Sequence, residues 1–141
     1  MRLENARDTI LDYFLPLWGS TTTIALDNQI FEPPIPSTAW IRLSIQFYDG
    51  EQVSLGSNDG KVRYRHYGML FIQVFTPVGE GTYNNDVYCQ QLKDLFDSKD
   101  LNGITFYDVH VKTIGRTRME DDGGIWYQQQ VIADIQFDED K

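Results

Sequence analysis

The chain has 141 residues, of which 41% are hydrophobic and 13% aromatic, enough apolar material for a single core, and we interpret residues 1–141 as one domain. A formal net charge of −9 argues against a surface that holds nucleic acid through many phosphate contacts and favours protein partners. The single cysteine, Cys89, excludes an intrachain disulfide and a cysteine-based zinc site.

The N-terminal segment predicts a short amphipathic helix followed by a long extended connection. Pro16 is expected to end the helix, and Pro33, Pro34 and Pro36 argue against a central strand in the connection. The charges near the N-terminus and the absence of a long apolar run lead us to expect neither a secretion signal nor a membrane anchor. The apolar residues at helical spacing are Leu3, Ala6, Ile10, Phe14 and Leu17.

A half-buried strand is predicted next, over residues 40–48, where polar and apolar residues alternate. Asp49 and Gly50 predict a turn, and residues 57–60 predict a second turn. Residues 51–55 form a short strand between the two turns in this interpretation. The whole region is therefore expected to be a hairpin or loop.

Residues 62–76 predict a long strand with two apolar faces. Met69, Phe71 and Phe75 lie on one face, which needs cover from a helix or from a neighbouring subunit. The other face is assigned to the core of the subunit. The predicted core comprises Leu70, Ile72, Val74, Ile41, Leu43, Ile45, Val131, Ala133 and Ile135.

A second helix is predicted from Tyr83 to about Ser98, followed by strands over residues 104–112 and 125–137. Residues 113–124 connect these strands, in part as strand, and end in a hairpin turn, while the final residues DEDK are expected to fray. One face of the last strand is assigned to Ile125, Tyr127, Val131, Ala133, Ile135 and Phe137. The predicted fold class is α+β, with a mostly antiparallel sheet, two main helices packed on one side and a protruding loop or hairpin.

The strand, glycine turn and helix around Gly79 and Gly81 have the order of a phosphate-binding loop. The third glycine of the dinucleotide fingerprint is replaced by Asn84, and no Walker lysine follows. These glycines therefore predict a tight turn, with Thr82 or Asn84 capping the helix. A small-ligand or enzymatic domain using a cleft beside this turn remains an alternative.

No other motif predicts chemistry. Residues 98–109 lack the first and last ligands of a calcium loop, His66 and His110 have no second ligand nearby, and Cys89 is predicted to be a buried thiol. We expect no catalytic, cofactor or metal site. The charged residues Arg116, Arg118, Glu120, Asp121 and Asp122 predict either a solvated loop or a loop that contacts another protein.

An ordered series of motifs resembles the small tail-terminator or tail-completion proteins of tailed bacteriophages. It comprises an Arg-x-Arg strand that ends in Val-Phe-x-Pro-x-Gly-x-Gly, a helix that ends in Leu-Phe, and a late Gly-Gly-x-Trp-Tyr-Gln strand. The residues are Arg63, Arg65, Gly68, Val74, Phe75, Pro77, Gly79, Gly81, Leu95, Phe96, Gly123, Gly124, Trp126, Tyr127 and Gln128.

The resemblance implies a non-enzymatic virion protein that forms a ring, six-fold in such families, on the head-proximal end of the tail tube. The implied partners are other copies of the chain, the tail tube protein and the head connector, with genomic DNA passing through the lumen without specific binding. A head-completion, neck or other minor tail component is the alternative. Assembly would take place in the host cytoplasm. Met69, Phe71, Phe75, Arg116, Arg118, Glu120, Asp121 and Asp122 are the candidate interface residues.

Overall fold

A computed structural model describes residues 1–34, 38–53, 62–118 and 124–140, except for the side chain of Asp49. Its elements in chain order are α1 (Leu3–Trp18), β1 (Thr23–Leu26), β2 (Trp40–Gln52), β3 (Arg63–Pro77), α2 (Tyr83–Phe96), β4 (Asp100–Leu101), β5 (Ile104–Arg118) and β6 (Ile125–Asp140).

The first helix continues through Pro16, so the prediction that this proline ends it is wrong. Proline removes one backbone donor and crowds the preceding turn. Two contacts hold the last turn in place: the backbone N–H of Gly19 donates to the Leu15 carbonyl at 2.8 Å, and the buried Trp18 donates from Nε1 to Thr22 at 2.8 Å. Burial of Trp18 thus extends α1 two residues beyond the proline.

The strands form one sheet in the order β1-β2-β3-β6-β5-β4. All neighbouring pairs are antiparallel except β1 and β2, which are parallel, so the sheet is mixed and the α+β class is confirmed. The extended connection after α1 contains a short strand, β1, that the sequence analysis did not predict. This short strand lies at the edge of the sheet and ends before the prolines. Its hydrogen bonds to β2 therefore do not involve the prolines, which have no backbone N–H to donate.

The turn predicted at Asp49 and Gly50 is also absent, because β2 runs on to Gln52. The register shifts between Tyr48 and Glu51, which marks a bulge. A Cβ on Gly50 would lie 2.3 Å from the Arg65 carbonyl oxygen, so glycine permits the close approach of β3 here. The turn predicted at residues 57–60 lies outside the described residues.

Both helices pack on the same face of the sheet, and all nine predicted core residues are buried there. From α1, Ile10 and Phe14 face the sheet, and from α2, Leu92 and Phe96 do the same. Tyr13 joins the two helices by donating from its hydroxyl to the Leu95 carbonyl at 2.7 Å. The helices and one sheet face therefore enclose the main core.

The C-terminal residues 138–140 are paired as strand, so the prediction that they fray is wrong for these three residues. Arg65 donates from Nε to Oδ1 of Asp138 at 2.9 Å, and Arg63 lies 3.4 Å from Asp140. At the other end of β6, Ile125 is 46% exposed although it lies on the same strand face as the buried Val131 and Ile135. Its neighbour Trp126 is buried instead, on the opposite side of the sheet.

Candidate protein interface

The sheet face opposite the helices carries a patch of large side chains, which we call the open face. The strand register sets Phe71 between Ser44 and Ile132, and sets Met69 beside Asp134. Tyr67 lies next to Tyr48 in the adjacent row. The open face is defined by Tyr48, Tyr67, Met69, Phe71, Tyr107 and Ile132.

Within the described ranges, no helix packs on the open face. Tyr48 is 49% exposed and Tyr107 is 37% exposed, while Met69 and Phe71 are half-buried. Ile132, in the centre, is only 7% exposed because its larger neighbours surround it. Aromatic side chains and methionine are enriched where proteins meet, so this patch is suited to a protein contact.

The phenol groups of Tyr67 and Tyr107 on the open face keep their protons at neutral pH. A hydrogen bond from its hydroxyl to Glu51, at 2.7 Å, raises the pKa of Tyr67 above its ordinary value. Burial, followed by the charges of Asp134 and Asp108, raises the pKa of Tyr107. Both side chains can therefore serve as neutral hydrogen-bond groups at the rim of an apolar contact.

Phe75 differs from the other two candidate residues on this strand face. It is 1% exposed and stacks on Trp40 with ring centroids 4.0 Å apart. Trp126 contacts the same indole edge-on at 5.9 Å, and Phe31 covers it at 4.8 Å. Phe75 is thus packed inside the subunit, and we remove it from the candidate interface.

The candidate arginines lie away from Met69 and Phe71. Arg116 pairs with Tyr127 and Arg118 with Ile125, at the end of the sheet where β5 leads towards β6, and both are exposed. Glu120, Asp121 and Asp122 lie outside the described residues. The structure therefore places the remaining described candidates on two surfaces: Met69 and Phe71 on the open face, and Arg116 and Arg118 at the end of β5.

The glycine turn before α2 has the conformation expected of it, with φ of +95° at Gly79 and +75° at Gly81. Thr82 occupies the N-cap position of the helix, but its side chain makes no capping hydrogen bond, and Asn84 is exposed. Between the glycines stands Glu80, whose negative charge disfavours a phosphate ligand.

A buried polar network that the sequence analysis missed anchors this helix to the sheet. Asn85, fully buried, donates from Nδ2 to the carbonyls of Val74 at 3.1 Å and Tyr127 at 3.2 Å. Gln129 donates from Nε2 to Asn85 at 3.1 Å and to Asp86 at 2.7 Å. One signal was present, because Asn85 stands four residues before Cys89 on the buried helix face.

The remaining candidate groups have structural surroundings. Burial raises the pKa of the Cys89 thiol to about 12, which keeps it protonated and unreactive. His66 stacks on Phe137 and lies 2.8 Å from Glu139. Nδ1 of the exposed His110 lies 2.7 Å from the backbone carbonyl oxygen of Asp108. No group of acids, histidines and cysteine in the described part of the chain could hold a metal ion.

Asp100 accepts a hydrogen bond from the backbone N–H of Gly103 at 3.0 Å, which makes the calcium-like sequence a tight turn between β4 and β5. No helix among the described residues is long and apolar enough to cross a membrane.

Comparison with known proteins adds a family and a fold. A model of the phage tail terminator protein family matches residues 7–132 of the chain. Among solved structures, 24 chains match. One of them is 16% identical in sequence, covers 97% of this chain and 96% of its own length, and superimposes with a TM-score of 0.64, so it is similar in fold. No curated protein sequence matches the chain.

Proposed function

Because the chain belongs to the phage tail terminator family, a family of structural phage tail proteins, we propose that it caps the head-proximal end of the tail tube. Several copies, six in the ring that the motif resemblance implies, would assemble on the last tube layer. The ring would stop tube polymerisation and present a surface for the head connector. The family match over residues 7–132 is the observation that carries this proposal.

The open face supports assembly with other protein chains. Met69 and Phe71 are half-buried in the subunit, and Tyr48 and Tyr107 are partly exposed beside them. Covering these side chains would remove apolar surface from water, which favours association by about 25 cal/mol per Å² before the costs of ordering. We propose Met69 and Phe71 as contact residues of the ring or of the tube.

The charge of the chain supports passage of DNA through the ring. With 21 acidic and 12 basic residues, each copy carries a formal charge of −9. A lumen of such subunits repels phosphate groups, so DNA would pass without adhering. The partners of this function are other copies of the chain, the tube protein and the head connector, in the virion and in the host cytoplasm during assembly.

A non-enzymatic role agrees with the chemistry of the described side chains. The cysteine thiol is protonated, and the glycine turn carries a carboxylate. His66 contacts an aromatic ring and the Glu139 carboxylate, and His110 contacts the local backbone. None of these groups is arranged with a second group as nucleophile and base. The chain would act by shape and surface complementarity.

Omission of the protein during phage assembly tests the proposal. Electron microscopy should reveal tubes of irregular or excessive length that carry no heads, and adding the purified wild-type chain should restore joined particles. Tails of normal length that fail only to attach heads would instead favour a head-completion or neck component. Normal, joined particles formed without the protein would refute both assignments.

A further inference from the structure

The two edges of the sheet differ in how they are protected. Beyond β1, the edge of β2 is covered by side chains: Asp27 accepts from the backbone N–H of Ile45 at 3.1 Å, and Arg7 donates to the Ile45 carbonyl at 3.1 Å. On the opposite edge, β4 pairs only with Ile104 and Thr105 of β5. From Tyr107 to Arg118, the outer side of β5 has no strand partner among the described residues.

Bulges make this long edge unsuitable for adding another strand. The register of β5 shifts between Tyr107 and His110 and again between Thr113 and Gly115. Such irregularities interrupt the row of N–H and C=O groups that a new strand would need. A partner at this edge would therefore be bound mainly through side chains.

The side chains that β5 presents are cationic. Lys112, Arg116 and Arg118 are exposed, and no ion pair joins them to another described residue. Val111 and Ile114, 39% and 41% exposed, lie on either side of Lys112 in the sequence. Residues 120–122 lie outside the described residues and are not included in this surface. In a chain of net charge −9, β5 is thus a local concentration of positive charge.

An acidic surface lies on α1. Glu4, Asp8 and Asp12 are spaced by four residues, which aligns them on the outer surface of the helix, opposite the buried Ala6 and Ile10. Only Glu4 has an ion-pair partner in the described chain, the exposed Arg2 at 3.0 Å. Two carboxylates four residues apart repel each other, so Asp8 and Asp12 would gain from a cationic neighbour.

These two surfaces belong to opposite sides of the subunit. Contacts of Arg7 with Ile45 and Asp27 place α1 towards the β1–β2 side of the sheet, whereas β5 lies at the other side of the strand order. Complementary patches on opposite sides of one subunit produce a head-to-tail contact, and a head-to-tail contact that closes produces a ring. An isologous dimer would instead require one self-complementary patch.

We infer that β5 of one copy docks against the outer surface of α1 of the next copy, with Arg116 and Arg118 facing Asp8 and Asp12. These two arginines pair with Tyr127 and Ile125 and therefore lie on one face of β5, whereas the bulge turns Lys112 to the other face. The partner at this surface is a second copy of the chain. The inference rests on the proposed ring and deepens it, because it names the two surfaces that join its subunits. Arg116 and Arg118 are about 7 Å apart along a strand, and Asp8 and Asp12 are about 6 Å apart along a helix, so the two charged pairs match in spacing.

Charge reversal tests this contact on purified tail tubes that lack the protein. One variant carries Arg116→Glu and Arg118→Glu, a second carries Asp8→Lys and Asp12→Lys, and a third carries all four changes. Like charges facing each other should weaken assembly of the first and second variants by about tenfold or more. The third variant, with its charges exchanged, should assemble on tubes as the wild type does.

A mixture of two variants tests the inferred contact independently. An equal mixture of the first and second variants should restore assembly, because each β5 then meets an oppositely charged α1 in an alternating ring of even number. Glu80→Lys with Asp97→Lys matches the charge change of the second variant at exposed residues that belong to neither surface, and it should assemble normally.

Circular dichroism and a melting curve for each variant verify that it is folded, and occupancy of tube ends is counted by electron microscopy. Assembly of the first and second variants at wild-type level, or failure of both the mixture and the fourfold variant to recover, would overturn the inferred contact. The proposed function fails separately, if the wild-type protein neither caps tubes nor limits their length.

Discussion

Phe75 stacks on Trp40 with an interplanar angle of 11°, on the face of the sheet that the helices leave uncovered. Phe71 stands four residues earlier on the same strand face and is only half-buried. Phe71 and Phe75 thus lie on the same face of β3 but have different surroundings. The stacked pair closes one end of that face with the subunit's own side chains, and the remainder is available to a neighbour.

Truncation of these two phenylalanines should separate stability from assembly. Phe75→Ala removes a ring that is fully packed and should lower the free energy of unfolding by about 3–5 kcal/mol. Phe71→Ala should cost much less stability yet reduce capping of tail tubes. Chemical denaturation and counts of capped tubes measure the two effects. Equal destabilisation by both substitutions would mean that Phe71 belongs to the subunit core.

Truncation of the core beneath the helices should be costly at both of its central strands. Ile72 and Ile135 are completely buried, so Ile72→Ala and Ile135→Ala should each lower the free energy of unfolding by about 2–5 kcal/mol. Ile125→Ala, at a residue 46% exposed, is the matched control and should change stability little. Urea denaturation measures all three, and losses well under about 1 kcal/mol at both buried sites would contradict this assignment.

Reversal of the two arginines near the end of β5 should affect function without affecting the fold. Arg116→Glu with Arg118→Glu changes exposed side chains, so the melting temperature should stay nearly constant while tail termination or joining is lost. Arg116→Lys with Arg118→Lys keeps the charge and should retain most activity. If the glutamate variant gives infectious particles with tails of normal length, these arginines are exposed to solvent and make no contact that assembly needs.

The ion pair between Arg65 and Asp138 should make stability depend on pH. The hydrogen bond from Arg65 is the largest of the effects that lower the pKa of Asp138 below its ordinary value. A carboxyl with a depressed folded-state pKa stabilises the fold above its unfolded pKa, and this stabilisation is lost as the pH falls through the folded pKa. Asp138→Asn should therefore be destabilising at about pH 7 and much less so at about pH 2.

Denaturant titrations of the wild type and Asp138→Asn at the two pH values check this expectation. Arg65→Gln and the double variant complete a mutant cycle, which isolates the pair from other effects of each change. An Asp138→Asn penalty that is the same at both pH values would show that the carboxylate charge is not its source.

Local sequence patterns were sufficient to predict the helices and strands that form the main core. Alternation at Ile41, Leu43 and Ile45 identified a half-buried strand because side chains of a strand point to opposite faces in turn. Apolar residues three or four positions apart identified both helices, because such residues lie on the same face of a helix. The ordered motifs also identified the family, since turns, strand ends and helix ends occur at fixed distances along the chain.

Only the tertiary structure decided which apolar residues of β3 are available to another protein. Phe71 and Phe75 have the same residue type and the same strand face, and they differ because Trp40, Trp126 and Phe31 come from distant parts of the chain to cover one of them. The bulge at Gly50 and the helix that passes Pro16 likewise depend on packing with other elements. Alternation and spacing are local, whereas burial is a property of everything that the fold brings near a residue.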